Sequence, residues 1–263
     1  MPVASLPLSL GALVGVGLSG GFVWWEVGRF AVPQVPVSLF DERRELFAYT
    51  AGLFVGVPLA VAFILFELSM GTGTLESALL FLAAIVAGGE IAQWALLRSR
   101  YWGRSESGPF YALGFRSAIG GIIALALVTQ YFGTSSPTPD GIALALVESV
   151  AVVGLEVAGA LLSGRARPGS GRVGGGPVSG GIFGAVGFFL IGLGSIAGET
   201  FAFGGAIVAL LGAGLVYRRL RPTLAEIPPP GASAPPPPPK SPPSYGRTDR
   251  GRSEERTERR HRA

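Results

Sequence analysis

Seven apolar segments of membrane-spanning length determine what this chain can fold into. A run of about 17–23 apolar residues is long enough to cross a bilayer as an α-helix. Only 14% of the residues are charged, whereas a soluble domain carries about 25%. The segments lie at residues 6–25, 46–66, 77–97, 110–132, 141–163, 177–197 and 201–217. We therefore predict an all-α transmembrane helix bundle over residues 1–220.

The number of spans depends on the last segment, 201–217. It is the shortest of the seven and is marginal for crossing a bilayer. Seven spans is the prediction, and the alternative is six spans with this segment lying at the interface.

Arginine residues occur in alternate loops. The loops after the first, third and fifth segments each contain three Arg, whereas the other loops between segments contain only acidic charges. Loops rich in Lys and Arg stay on the cytoplasmic side. The pattern predicts a multi-pass protein of the cell membrane, with its N-terminus outside and its C-terminal tail in the cytoplasm.

The third and fourth segments form a helical hairpin that contains one acid and one base. Glu90 lies eight residues before Arg98, and Arg116 lies eight residues after Gly108. Both therefore lie about 12 Å inside the same membrane face. A charge at membrane depth costs about 2.5–3.5 kcal/mol, so we predict that Glu90 and Arg116 pair. The pair either fixes the register of the hairpin or forms a gate or proton site, and the sequence leaves both open.

The fifth segment carries two more acids, Glu148 and Glu156. A weak internal repeat aligns Glu156 with Glu90 and aligns Gly184 with Arg116, so Glu156 has no countercharge unless it shares Arg116. An unpaired carboxyl in lipid favours its neutral form, as in a proton carrier, and can bind a cation once deprotonated. Glu148 lies about 12 Å along the helix from Glu156, on roughly the same side.

The alternative is that both acids have no function beyond structure and are neutral and hydrogen-bonded. Ser149, Gln130 and backbone carbonyls are the candidate partners of Glu148 and Glu156 in that case. Intramembrane ionisable residues are costly, and this favours a functional role.

Several classes of site are excluded by composition. The chain has no Cys, and its single His is His261, in the tail. Disulfides, thiolate nucleophiles and His-based metal or catalytic sites in the membrane part are therefore ruled out. We expect no metal and no cofactor.

The segment Glu90-Ile-Ala-Gln93 resembles the glutamate motif of the CAAX-processing intramembrane proteases. That family uses paired Glu, a basic residue one turn later, and His on the following helices. Here position 89 is Gly, position 93 is Gln, and the membrane segments contain no His. The resemblance covers a few residues of one helix, and it implies a degenerate active site.

Small-residue pairs and a Pro- and Arg-rich tail suggest possible partners. Glycines four residues apart let helices approach closely, either inside the bundle or against a partner protein or second copy. These pairs are Gly11/Gly15, Gly17/Gly21, Gly52/Gly56, Gly180/Gly184 and Gly194/Gly198.

Residues 221–263 cannot bury a core, so we predict a disordered tail that is solvated or contacts anionic lipid. Interleaved acids argue against nucleic-acid binding.

The intramembrane ionisable residues favour a small transporter or channel-like protein. Glu90, Arg116, Glu148 and Glu156 would line a path for a proton or a small cation. One alternative is a non-catalytic membrane scaffold or assembly subunit, and another is a degenerate protease-like protein. The sequence favours a non-enzymatic function.

Overall fold

The protein is a bundle of membrane-length helices. The computed structural model describes residues 5–31, 41–99, 101, 108–134, 138–163 and 176–220, and every regular element among them is a helix. Six helices are long and apolar enough to cross a membrane, and one shorter apolar helix accompanies them. The prediction of an all-α bundle with six or seven spans is confirmed. The helices are α1 Ser5–Ala31, α2 Glu42–Thr72, α3 Leu75–Arg98, α4 Gly108–Thr134, α5 Pro139–Ser163, α6 Gly176–Gly192, α7 Gly194–Ala197 and α8 Glu199–Leu220.

The distribution of side chains is inverted relative to a water-soluble protein. Large apolar side chains such as Trp24, Phe54 and Val178 lie on the outside. Charged and amide side chains of the membrane helices lie inside, namely Glu26, Glu45, Glu90, Gln93, Arg116, Glu148 and Glu156. Lipid tails solvate apolar side chains and exclude charge, so this arrangement is the one a multi-pass membrane protein requires.

Helix α4 is the centre of the bundle. It packs against α1, α2 and α5 and is the most buried of the membrane-length helices. Glycine allows these close approaches: a Cβ on Gly15 would overlap the Gly121 carbonyl, and one on Gly52 would overlap the Phe115 carbonyl. The pairs Gly11/Gly15 and Gly52/Gly56 thus close the bundle itself. Gly17 and Gly21 face open space.

Helix α2 extends beyond the predicted segment 46–66 at both ends. It begins at Glu42, because the Asp41 side chain accepts hydrogen bonds from the Arg43 and Arg44 backbone N–H groups and caps the helix. It continues through Glu67 and ends at Thr72, where the backbone N–H of the following Gly73 donates to the Ser69 carbonyl. Glu45 and Glu67, which the sequence placed in loops, therefore belong to a membrane helix.

The prediction of one continuous span over 177–197 is wrong. Helix α6 stops at Gly192, and after a turn at Leu193 the four-residue helix α7 leads to Gly198. Gly198 has φ +92°, a conformation that glycine adopts without strain, and the chain reverses there into α8. The last helix has 22 residues rather than the predicted 17. The short apolar helix is therefore α6, and not the last one.

Two predictions lie partly or wholly outside the described residues. The tail 221–263 and most Arg residues of the third and fifth loops belong to stretches that the structure does not describe. The helices belong to one compact unit, Met1–Ile227. The orientation in the membrane stays a prediction from the loop charges.

Candidate functional site

One arginine is shared by two buried carboxyl groups where α3, α4 and α5 meet. Arg116 Nε of α4 lies 2.7 Å from Glu156 Oε2 of α5, and Arg116 Nη2 donates to Glu90 Oε1 of α3 at 3.4 Å. At 2.7 Å the first contact is an ion pair, although its N–H direction is not aligned for a hydrogen bond. Glu156 is only 2% exposed and Arg116 3%. We call Glu90, Arg116 and Glu156 the charged cluster.

The structure therefore resolves the alternative that the sequence left open for Glu156. Glu156 is not unpaired, because Arg116 serves both acids. Helices α4 and α5 approach closely at Gly120, where a Cβ would meet the Val153 backbone and the Glu156 side chain. This approach brings the Glu156 carboxyl beside the guanidinium.

A hydroxyl group at the end of α5 completes the environment of Glu90. Ser163 Oγ donates to Glu90 Oε2 at 2.6 Å. Helix α6 covers this bond, since a Cβ on Gly180 would overlap Ser163 Oγ and crowd Glu90 Oε1. Four helices thus enclose the carboxyl group of Glu90. Sequence analysis did not single out Ser163 or Gly180 for this role, because the contact joins residues that are 73 positions apart.

Glycines also make room for the guanidinium. A Cβ on Gly89 would overlap Arg116 Nη1, and a Cβ on Gly159 would come within 3.0 Å of Nη2. Helices α3 and α5 therefore present bare backbone to Arg116 on two sides. Gly89 is one of the positions at which the sequence departs from the protease motif.

Gln93 lies one turn beyond Gly89 on α3 and is 1% exposed. Its Nε2 donates to the Ala160 carbonyl of α5 at 3.3 Å. Its Oε1 and Arg116 Nη1 have no hydrogen-bond partner within the described part of the chain. The polar region thus extends from the charged cluster towards the end of α3. The sequence signal for Gln93 was its position three residues after Glu90, on the same helical face.

Glu148 lies apart from the charged cluster. It is a buried acid of α5. No hydrogen bond or ion pair within the described ranges joins Glu148 to Arg116 or Glu90. Helix α5 therefore carries two separate acidic positions. Glu67 was missed because the sequence placed it in a loop.

The chemistry open to the charged cluster follows from its charge. Arg stays protonated in proteins, so two carboxylates and one guanidinium carry a net charge of −1. One proton neutralises the cluster. The guanidinium occupies the position between the carboxyls that a metal ion would need, and the described residues contain no group of three or more His, Cys, Asp and Glu that could hold one.

Comparisons with protein-family models, curated proteins and solved structures give no match for this chain. The contacts and burial of the charged cluster are therefore the basis on which a function can be assigned.

Proposed function

We propose that the protein is a small carrier or channel-like protein of the cell membrane that binds a proton at the charged cluster. The observation that carries this proposal is the sharing of one buried guanidinium by two buried carboxyl groups. A purely structural ion pair needs one acid for one base. The second acid leaves the cluster with a charge that lipid does not tolerate unless a proton or cation neutralises it.

Glu156 is the group that exchanges the proton. Glu90 accepts hydrogen bonds from Ser163 and from Arg116, and hydrogen bonds to the charged form of a carboxyl stabilise that form. Glu156 has the Arg116 ion pair alone. The difference in donors makes Glu90 the fixed anion and Glu156 the exchangeable site.

Proton exchange is coupled to the packing of the helices. When Glu156 is ionised, Arg116 joins α3, α4 and α5 through both carboxyls. When Glu156 is protonated, the attraction between α4 and α5 weakens and Arg116 pairs with Glu90 alone. A change in contacts between two such arrangements is what a carrier needs to open a site to one side and then the other. Glu148 is a second buried acidic position on α5.

The first experiment measures proton binding directly. Purified protein in weakly buffered detergent solution is titrated across neutral pH, and Glu156→Gln is compared with wild type. We expect the variant to bind one proton fewer. The control is Glu76→Gln, which removes an exposed acid of the first turn of α3 and leaves proton binding near neutral pH unchanged. Equal proton binding by Glu156→Gln and wild type would refute the proposal.

The second experiment measures transport. Protein is reconstituted in vesicles that contain a pH-sensitive dye, and an acid gradient is applied with potassium and valinomycin to clamp the membrane potential. We expect wild type and Glu76→Gln to dissipate the gradient and Glu156→Gln to retain it. If wild type binds the proton but retains the gradient, the protein does not conduct protons by itself. The proton would then be bound without free proton flux across the membrane.

A scaffold function is the second candidate, and one observation favours it. Gly17 and Gly21 on α1 face open space, whereas Gly11/Gly15 and Gly52/Gly56 pack inside the bundle. A partner helix could approach the α1 backbone closely at this pair. Purification in mild detergent that yields only the free monomer would count against this candidate.

A further inference from the structure

A second group of polar side chains lies where α1, α2 and α4 meet, away from the charged cluster. Ser19 Oγ of α1 lies 2.9 Å from Tyr49 OH of α2, and Tyr49 OH also donates to the Val16 carbonyl at 3.3 Å. Ser117 Oγ of α4 donates to the Ser19 carbonyl at 3.1 Å. Ser117 follows Arg116 directly, so α4 presents its guanidinium to α3 and α5 and its hydroxyl to α1. These hydroxyl groups satisfy each other and the backbone.

Glu45 lies on α2 four residues before Tyr49, on the same helical face, and it has no such partner. It is 5% exposed. Its Oε1 packs against the backbone of Gly114 on α4, where a Cβ would overlap it, and its Oε2 has no hydrogen-bond partner within the described helices. Glycine at position 114 therefore leaves room for a carboxyl group between α2 and α4.

Among the described residues, the basic groups of α2 and of the helices packed on it are exposed, like Arg43, or are engaged with other residues. Arg44 on the same helix pairs with Asp41 and donates to the Tyr101 carbonyl. Arg116 of α4 is held by Glu90 and Glu156, and Arg98 of α3 stacks on Trp94. Other titratable groups on the described parts of neighbouring helices include Tyr111 of α4, which accepts from the Asp41 backbone N–H, Glu76 and Glu90 of α3, and Glu26 of α1. No hydrogen bond or ion pair within the described residues joins any of these groups to Glu45, and neither Tyr nor Glu neutralises a carboxylate.

We propose that Glu45 is a second proton-binding site, separate from the charged cluster. A carboxylate enclosed by apolar helices is strongly disfavoured unless something neutralises it, and no base among the described side chains pairs with Glu45, so we infer that it binds a neutralising ligand. A metal ion requires several oxygen ligands, and this position supplies one carboxyl group. A proton needs only that group. The site rests on the burial and contacts of Glu45 and does not depend on the proposed role of Glu156.

Because Glu45 lies between α2 and α4, binding of the proton affects the contact between these two helices. The neutral carboxyl packs on the bare backbone at Gly114 and lets α2 and α4 stay in contact at their shared end. Loss of the proton places a negative charge in that contact and drives the side chain out of it. Proton occupancy at Glu45 therefore determines the packing of α2 on α4 at this end.

Infrared spectroscopy tests this site, because a protonated carboxyl has a C=O stretching band that is separate from carboxylate bands and shifts in D2O. We expect wild type at neutral pH to show such a band that Glu45→Gln lacks. The matched control is Glu42→Gln, three residues earlier and exposed, which keeps the band. The band is lost as the pH is raised. Identical spectra for wild type and Glu45→Gln would overturn the proposal.

Two further variants make the test independent of folding and of the charged cluster. Gly114→Ala displaces the carboxyl, so the Glu45 band should shift in frequency; an unmoved band would contradict the contact with α4. Glu156→Gln should leave the Glu45 band unchanged. Loss of the Glu45 band in Glu156→Gln would show that the two acids form one coupled system and would overturn the claim of a separate site.

Discussion

The guanidinium of Arg116 occupies the space beside Gly89 in which any other residue would place its Cβ. The charge is therefore packed directly against helix backbone, with Glu90 and Glu156 on its other sides. The same device recurs at Gly114 beside Glu45 and at Gly180 beside Ser163 and Glu90. Glycine has no side chain, and at these positions it leaves the space that buried polar groups need in this bundle.

Gly89→Ala should destabilise the protein. The new methyl group overlaps Arg116 Nη1, and the guanidinium cannot move without losing Glu90 or Glu156. Overpacking of a closed site costs about 1–3 kcal/mol, against which Ala gains about 0.5–1 kcal/mol of helix propensity. Thermal unfolding in detergent measures the difference.

The control for Gly89→Ala is Gly204→Ala on α8, where nothing lies within 4 Å of the added Cβ. That variant should be as stable as wild type or slightly more stable. Equal melting temperatures for the two variants would mean that Arg116 does not fill the space beside Gly89.

Arg116→Met should cost more stability than removal of all three charges. Loss of the base leaves two buried carboxyls without a countercharge, and breaking a buried ion pair costs about 3–5 kcal/mol. The triple variant Arg116→Met, Glu90→Gln, Glu156→Gln removes the uncompensated charge and should recover most of this loss. Denaturant unfolding of both variants provides the test, and a triple variant as unstable as the single one would show that the cluster is not held by charge.

The contact between α1 and α4 gives a third prediction. Gly15→Ala places its Cβ against the Gly121 carbonyl and the Leu125 backbone N–H, which cannot rotate away. The helices must separate, so we expect a loss of about 1–3 kcal/mol. Gly17→Ala on the same helix faces open space and serves as the control. A lower melting temperature for Gly17→Ala than for Gly15→Ala would mean that the face of α1 with Gly17, and not the face with Gly15, packs against the bundle.

The orientation can be tested with single cysteines, because the chain contains none. Thr74→Cys and Thr138→Cys lie at the ends that the loop charges place outside, and Ser99→Cys lies at the opposite end. A membrane-impermeant maleimide added to intact cells should label the first two and leave the third unlabelled. Labelling of Ser99→Cys alone would show that the protein has the opposite orientation. The two ends of the proposed proton route would then be exchanged.

Counting residues from the ends of the apolar segments led us to expect that Glu90 and Arg116 pair. Their contact at 3.4 Å agrees with that expectation, because the two apolar segments 77–97 and 110–132 contain no other base. The contact of Arg116 with Glu156 could not be predicted in the same way. It depends on which face of α5 meets α4, and that choice follows from the close approach at Gly120.

Helix boundaries explain the acids that sequence analysis overlooked. Glu45 follows a run of charged residues, and such a run indicates a loop when hydropathy alone is considered. The Asp41 cap starts α2 before those charges, so the helical turn carries Glu45 inwards while Glu42 stays exposed. At the other end of the same helix, Glu67 follows the apolar segment 46–66 directly, so hydropathy placed it in a loop although α2 continues past it. The Asp41 cap, which hydropathy ignores, accounts for the first case, and the continuation of α2 to Thr72 accounts for the second.

Helix α6 ends after 17 residues and carries Val178, Ile182 and Val186 on its exposed side. At about 1.5 Å per residue it reaches roughly 25 Å, whereas the hydrocarbon layer is about 30 Å thick. The bilayer beside α6 must therefore thin locally, or the helix must sit off-centre within it. Lipids with short acyl chains should gather along this one side of the protein, which gives its surroundings an asymmetry that the other helices do not impose.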